Sequence, residues 1–236
     1  MKAGILAAGD GSRLAAAGIF TPKPLVKIGG VSLIERTLRA LVLGGADEIA
    51  FVVNERMESV VDAVRALRLP VPVHPVIATT ASSMHSLHAL APHLKGDRFV
   101  LCTVDSVMRT DEFCDFMRLC SVRSEVDVLL SYTDFVDDEN PLRIGLDGDE
   151  RVVALGAQAS DSPFVTLGLY GMNPSIFPLL DRAVAEGEHR LRNFLARLLA
   201  ASLRVRGRRI SKGVDVDRPV DVQVAEAFLL EQGALA

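Results

Sequence analysis

The stretch AGILAAGDGSR, residues 3–13, opens the chain with a short run of small and apolar residues followed by a glycine-rich turn. An apolar run that ends in glycines is typical of a buried strand passing into a tight turn. The backbone N–H groups of such a turn can bind phosphate, and Arg13 and Lys23 lie close by in sequence to neutralise its charge. The stretch therefore predicts a phosphate site at the carboxyl end of the first strand.

Strand-like and helical patterns alternate through the next 120 or so residues. The further predicted strands are 48–54, 73–77, 98–104 and 126–132, and the predicted helices cover 32–42, 60–67, 82–90 and 111–119. Such alternation indicates a mostly parallel sheet with helices on both faces, the three-layer, Rossmann-like α/β class. Ligands of these sheets bind outside the carboxyl ends of the strands, so Gly9 and Asp105 are expected on one rim.

The pattern changes after Thr133. The remaining predicted elements are a hairpin of 142–146 and 151–155, a strand at 164–172, helices at 176–185 and 191–203, a short strand at 205–210, a helix after Pro219 and a disordered tail after 230. We therefore predict one domain, residues 1–236, in which a small β-rich insertion, 134–171, folds over the substrate site.

Composition excludes several classes of protein. The 236 residues are 49% hydrophobic with a net charge of −4, which suits a packed domain and disfavours nucleic-acid binding. No apolar run is long enough to span a bilayer and the N-terminus lacks a secretory pattern, so we expect a cytoplasmic protein without membrane contact. The sequence is silent on assembly, and a homo-oligomer is left open.

The cysteines, histidines and clustered arginines carry little functional signal. The three cysteines lack metal-site spacing, and the histidines show no zinc motif. The basic cluster at 204–209 is interpreted as a solvated strand edge. The pair Gly9-x-Gly11 is weak by itself: it lacks the third glycine of a dinucleotide fingerprint, and no Gly-Lys-Ser/Thr follows as in a P-loop. A dinucleotide-binding dehydrogenase is accordingly disfavoured.

The combination of motifs is more specific. Residues 4–14, the Pro22-Lys23-Pro24-Leu25 element and Gly29-Gly30-x-x-Leu33-Ile34 resemble the signature of the nucleotidyltransferases that activate sugar 1-phosphates, and of the related phosphoalcohol cytidylyltransferases. The resemblance recurs at Asp105 and at Asp215-Val216-Asp217. It implies transfer of a nucleoside monophosphate from a nucleoside triphosphate to a small phosphomonoester, with release of pyrophosphate.

The residue types suit that reaction. The attacking phosphate is already anionic at neutral pH, so the reaction needs cations and positioning more than a general base. By resemblance, Arg13 holds the departing β- and γ-phosphates and Lys23 bridges the α-phosphate and the acceptor. The resemblance also implies Mg²⁺ held by Asp105 and Asp215, with Asp217 left open as a further ligand.

The same resemblance assigns two sets of binding residues. The expected nucleotide-binding residues are Leu6, Ala7, Ala8, Gly9, Gly11, Ser12, Thr79 and Ser83. The expected acceptor-binding residues are Thr166, Gly168 and Lys212. CTP or UTP is the expected triphosphate, and a sugar 1-phosphate, an inositol phosphate or a phosphocholine-like compound the expected acceptor.

Two alternatives share this fold. The first is a molybdopterin-type nucleotidyltransferase, which the Pro-Lys-Pro-Leu element disfavours because such relatives usually carry Asp-Lys-Ala-Leu in a shorter loop. The second is a catalytically inactive nucleotide-sensing module. An inactive module would be expected to lack one of Arg13, Lys23, Asp105 and Asp215, and all of them are present.

Overall fold

The fold is taken from a computed structural model, which describes residues 1–122, 125–136 and 140–231. The strands are β1 Lys2–Leu6, β2 Lys27–Ile28, β3 Val31–Ser32, β4 Glu48–Val53, β5 Val73–Ile77, β6 Phe99–Thr103, β7 Ser106–Met108, β8 Val128–Thr133, β9 Ile144–Leu146, β10 Val152–Leu155, β11 Val165–Met172, β12 Val205–Arg209 and β13 Gly213–Asp215. The helices are α1 Ser12–Ala16, α2 Leu33–Leu43, α3 Glu58–Ala66, α4 Ser83–Leu94, α5 Thr110–Val122, α6 Phe177–Ala185, α7 Leu191–Ala200 and α8 Pro219–Leu230.

A mixed, mostly parallel sheet forms the centre of the described chain. Its strand order is β12-β8-β11-β6-β1-β4-β5. The strands β6, β1, β4 and β5 run parallel to one another, and β12 runs parallel to β8. Only β11 opposes its two sheet neighbours, β6 and β8. The predicted mostly parallel α/β sheet is confirmed.

Helices cover both faces of this sheet. Buried side chains of α2, α3, α5 and α8, such as Leu38 and Phe116, pack on one face. Those of α4, α6 and α7, such as Leu90, Phe177 and Phe194, pack on the other. Strands between two helical layers are buried on both sides, which explains their continuous apolar sequences and confirms the three-layer prediction.

Local sequence signals set the helix ends. Ser32 accepts a hydrogen bond from the Glu35 N–H at 3.3 Å and so caps α2, as the serine-x-x-glutamate pattern predicts. The helix ends at Gly44, and Gly45 follows with φ +87°. Ser82 likewise caps α4 by accepting from the His85 N–H. The predicted positions of both helices are confirmed.

The predicted insertion 134–171 is too long at its C-terminal end. Strands β9 and β10 form the predicted hairpin as a separate antiparallel pair. Strand β11 instead lies inside the main sheet between β6 and β8, because its side chains are apolar and almost all buried. Residues 137–139 of the segment, and the predicted tail from 232 onward, lie outside the described residues.

The helices were compared with the length and hydropathy of membrane-spanning segments. Within 1–122, 125–136 and 140–231, no helix combines the length and hydropathy needed to cross a bilayer.

The arginine cluster at 204–209 lies on an edge strand. Strand β12 is at one end of the sheet order. The Arg204 guanidinium donates to both carboxylate oxygens of Asp127 at 3.0 Å, and Arg209 pairs with Asp134 at 2.6 Å. These arginines tie the edge strand to its neighbours, which confirms the interpretation as a solvated edge.

Asp127→Asn is expected to lower the free energy of unfolding slightly near neutral pH. Hydrogen bonds from Arg204 hold the pKa of Asp127 below its ordinary value of 3.8. A lowered carboxylate pKa stabilises the fold above that ordinary value and loses its effect as the pH falls through the native pKa. Urea unfolding of wild type and variant at decreasing pH should therefore show a difference that closes in acid. A constant difference would contradict this role.

Candidate active site

The glycine turn and Asp105 share one rim of the sheet. Strands β1 and β6 are parallel neighbours in which Leu6 pairs with Thr103. The Val104 N–H donates to the Leu6 carbonyl at 3.2 Å, just beyond the ends of both strands. The residues that follow, Gly9 and Asp105, consequently lie at the same edge, as the strand pattern predicts.

The turn after β1 requires glycine at one position for two reasons. Gly11 has φ +58°, and a Cβ placed there would lie 3.1 Å from the Cβ of Lys23. Gly11 therefore admits both the left-handed backbone and the close approach of the lysine. A Cβ on Gly9 would meet nothing within 4 Å, so that side of the turn is open.

Asn54 braces this turn and was missed by the sequence-based site assignment. Its side chain, only 5% exposed, donates to the Ala8 carbonyl at 3.4 Å and to Asp10 Oδ1 at 3.0 Å. The Asn54 oxygen accepts from the Arg56 N–H at 3.0 Å. A polar residue directly after the apolar end of strand β4 is the signal that could have identified it.

Lys23 is at the centre of a charged cluster. Its ammonium lies 2.5 Å from Asp105 Oδ2 and 2.5 Å from Asp217 Oδ1, although the residue is only 7% exposed. Arg13 Nη1 lies 3.0 Å from the other oxygen of Asp217. The structure thus brings together four predicted site residues from the beginning, middle and end of the chain.

Lys23 and Asp105 stay charged because the attraction between opposite charges in the cluster outweighs the cost of burying each of them. Burial alone lowers the pKa of Lys23, but the carboxylates of Asp105 and Asp217 raise it above the ordinary 10.5. Burial alone raises the pKa of Asp105, but Lys23 brings it below 3.8. The lysine is therefore cationic and the aspartate anionic throughout the neutral range.

The last part of the chain reaches the rim through a short pairing that the sequence did not predict. Strands β13 and β7 are antiparallel, with Asp215 opposite Ser106. The Ser106 hydroxyl donates to Asp215 Oδ1, and the Val216 N–H donates to the Asp105 carbonyl at 3.1 Å. Strand β13 ends at Asp215, and Asp217 has different polar contacts, to Lys23 and Arg13.

The predicted magnesium ligands offer the right donor chemistry. Asp105, Asp215 and Asp217 supply carboxylate oxygens, which Mg²⁺ prefers, and two of them already bind one ammonium. Within the described ranges, however, no group of three or more His, Cys, Asp or Glu side chains is arranged to hold a metal ion. Mg²⁺ needs few protein ligands when phosphates and waters complete its shell, so this site stays a prediction.

A pocket adjoins the cluster on the side of β11 and α7. Its volume is about 210 Å³. It is lined by Ser83, Thr103, Asp105, Ser106, Leu142, Thr166, Leu167, Gly168, Tyr170, Leu191, Arg192, Leu195 and Asp215. We call it the rim pocket. It brings together Ser83, Thr166 and Gly168 from the predicted binding sets with two of the predicted metal ligands.

Some predicted residues have other surroundings. Lys212 is not among the lining residues of the rim pocket, and its Nζ lies over two rings, 4.5 Å from the centroid of Phe135 and 5.0 Å from that of Phe228. Thr79 is exposed. Gly168, one of the expected acceptor-binding residues, lies against the protein itself, because a Cβ there would overlap Thr103 Oγ1 and lie 2.8 Å from Ser106 Oγ. Its missing side chain leaves room for the protein's own hydroxyls.

Gly168→Ala is expected to lower the free energy of unfolding by about 1–3 kcal/mol, because the methyl group overpacks the contact with Thr103. Thermal or urea unfolding measures the loss. Gly148→Ala is the matched control, since a Cβ there meets nothing within 4 Å. Adding Thr103→Ala to Gly168→Ala should recover part of the stability. Equal effects of the two glycine substitutions would refute the packing argument.

Most of the chain matches a known protein family. Residues 3–203 match a family model described as the MobA-like NTP transferase domain. The bifunctional IPC transferase and DIPP synthase of Rubrobacter xylanophilus is 32% identical over 239 residues, covering 97% of this chain and 52% of that protein. The 2-aminoethylphosphonate cytidylyltransferase of Lancefieldella rimae is 27% identical over 67% of this chain and 66% of its own length.

Among solved structures, the inositol-1-phosphate CTP transferase of T. maritima superposes with a TM-score of 0.82 at 18% identity, covering 99% of this chain and 95% of that one. This similarity concerns the fold alone. The chain spans between about half and two thirds of the length of the two curated relatives above.

Proposed function

The chain belongs to the MobA-like NTP transferase domain family, and we propose that it transfers a nucleoside monophosphate from a nucleoside triphosphate to a small phosphomonoester, releasing pyrophosphate. The observation that carries the proposal is the contact of Lys23 with Asp105 and Asp217, beside the rim pocket. It places a buried cation where a glycine turn, two acids and a ligand-sized space meet.

The chain's own residues supply most of what this chemistry requires. The glycine turn presents open backbone beside Gly9 for the triphosphate. Lys23 and Arg13 offset the negative charge that develops on the α-phosphate and on the leaving pyrophosphate. The acceptor phosphate is itself the nucleophile, so no side chain needs to remove a proton. The role of these residues is therefore positioning and charge compensation.

Asp105 and Asp215, with Asp217 beside them, would hold Mg²⁺. When bound, the ion would offset phosphate charge and orient the triphosphate. The two acids arrive from the ends of β6 and β13, which their backbone contacts hold together.

The rim pocket favours a polyhydroxylated acceptor. Five hydroxyl side chains line it: Ser83, Thr103, Ser106, Thr166 and Tyr170. A quaternary ammonium is usually bound by several aromatic rings, whereas Tyr170 is the single aromatic residue in the described lining. We therefore propose an inositol phosphate or a sugar 1-phosphate over a phosphocholine-like acceptor, with CTP or UTP as the donor.

A panel assay tests the proposal. The protein is incubated with each of the four ribonucleoside triphosphates, Mg²⁺ and a set of phosphomonoesters, and pyrophosphate is measured. Inositol 1-phosphate and sugar 1-phosphates should react, phosphocholine should react poorly, and omission of Mg²⁺ should stop the reaction. A molybdopterin acceptor belongs in the panel as the rival within the family. Nucleotide binding without pyrophosphate from any pair would favour the inactive sensing module.

A further inference from the structure

The rim pocket presents an electrostatic problem for an anionic acceptor. Asp105 and Asp215 both line it, and a phosphomonoester entering the pocket would approach their negative charges. Lys23 is held between two carboxylates at 2.5 Å each, so much of its charge is already compensated. Even with the proposed Mg²⁺ on these acids, binding of the acceptor phosphate would therefore be strengthened by a further cation within the pocket itself.

Arg192 has the position for this role. It is the single cationic residue in the described lining of the rim pocket. It lies in the first turn of α7, next to the buried Leu191, which fixes that end of the helix against the core. Lys212, the cation assigned from sequence, lies over the rings of Phe135 and Phe228 instead.

The guanidinium of Arg192 is held without an ion pair in the described contacts. Nη1 donates to Asn140 Oδ1 at 3.2 Å and Nη2 donates to the Asn140 carbonyl at 3.0 Å. Both acceptors are neutral, so the side chain is oriented while its positive charge is left for a ligand. An oriented guanidinium is suited to bind phosphate oxygens in a bidentate fashion.

The neighbouring arginine on the same helix shows the contrast. Arg197 lies one and a half turns further along α7 and is paired with Glu186 at 2.5 Å. It lines a separate larger groove of about 950 Å³ between α7 and the hairpin, whereas Arg192 and Leu142 line both that groove and the rim pocket. Arg192 and Arg197 therefore differ in two respects: Arg197 is paired with a carboxylate, and Arg192 alone of the two lines the rim pocket.

We propose that Arg192 is an acceptor-specificity residue, which binds the phosphoryl oxygens of the incoming phosphomonoester. This inference rests on the proposed function. The acceptor then lies between the hydroxyls of β11 and the first turn of α7, with its phosphoryl group compensated by Arg192 and directed toward Lys23.

The test compares Arg192→Gln, Arg192→Lys, Arg197→Gln and Lys212→Gln with wild type, using inositol 1-phosphate and CTP, or the best pair from the panel. Arg192→Gln should raise the acceptor KM by about 10- to 100-fold, the usual effect of losing a charge-assisted hydrogen bond, with little change in the KM for the triphosphate. Arg192→Lys should recover part of the affinity because it restores charge without the planar fork. Arg197→Gln and Lys212→Gln should leave the acceptor KM unchanged.

Binding of the acceptor to the enzyme without turnover separates this inference from the proposed function. Isothermal titration should show weaker binding of inositol 1-phosphate to Arg192→Gln than to wild type, whereas the affinity for myo-inositol, which lacks the phosphate, should be the same in both proteins. Thermal unfolding checks that each variant is folded. An unchanged acceptor KM in Arg192→Gln, or a loss confined to Lys212→Gln, would overturn the role of Arg192 while leaving the reaction intact. Absence of pyrophosphate from the wild type in every pair would instead refute the proposed function.

Discussion

Asp105→Asn is expected to lower kcat by about 10³-fold while the chain stays folded. The substitution keeps the size of the side chain but removes the charge that faces the Lys23 ammonium at 2.5 Å. It also removes one of the proposed hard-oxygen ligands for Mg²⁺. Loss of one group that stabilises transition-state charge typically costs about 10²–10³ in rate, and Asp105 would serve two purposes.

Pyrophosphate release under saturating substrates measures this effect, and circular dichroism with thermal unfolding monitors the fold. Asp111→Asn provides a matched control, because that exposed aspartate at the start of α5 pairs with Arg109 outside the site. Its kcat should equal that of wild type. If Asp105→Asn turned over at a comparable rate, Asp105 would have no part in the chemistry.

The main architecture was predictable because its signals are local. Strand β5 was predicted with the same bounds as in the structure. The buried strand β6 was predicted to within one residue at each end, since an apolar run between turn residues is sufficient. Ser32 and Gly45 marked the two ends of α2 for equally local reasons, a side-chain cap and a left-handed backbone. The rim that carries Gly9 and Asp105 followed from the direction of parallel strands.

Features that depend on distant pairing were not predictable in the same way. Strands β7 and β13 are three residues each and their sequences carry no period. They exist because residues more than a hundred positions apart meet, with Ser106 opposite Asp215. Asp215 and Asp217 have different partners for the same reason, since β13 ends at Asp215 and Asp217 lies beyond it.

Side-chain partners explain the remaining differences at the candidate site. The position of a lysine in the sequence does not reveal which side chains will surround its ammonium. The ammonium of Lys212 lies over two phenylalanine rings. Nor does a helical arginine reveal whether a carboxylate will pair with it, which is what separates Arg192 from Arg197. Gly168 lines the rim pocket, and what its missing side chain accommodates is visible only from the position of Thr103.

Lys23→Met is expected to have two opposite effects, a fall in turnover of about 10³-fold and tighter Mg²⁺ binding to the nucleotide-free protein. The first follows from loss of the buried cation that, in the proposed reaction, would offset the charge of the phosphates. The second follows because the ammonium contacts the carboxylates of both Asp105 and Asp217, the oxygens that we propose for the metal. Removing the lysine leaves these acids without their shared partner, so a divalent cation no longer competes with it.

Isothermal titration of Mg²⁺ into wild type and Lys23→Met measures the second effect, for which we expect at least about a 10-fold gain in affinity, or about 1.4 kcal/mol. Lys27→Met is the matched control, because Lys27 is exposed on β2 and makes no contact with either acid in the described ion pairs. The two readouts separate two claims. A variant that loses turnover but gains no Mg²⁺ affinity would keep Lys23 in the reaction and remove Asp105 and Asp217 from the metal site. A variant that retains full turnover would show that the buried ion pairs of Lys23 serve the fold alone.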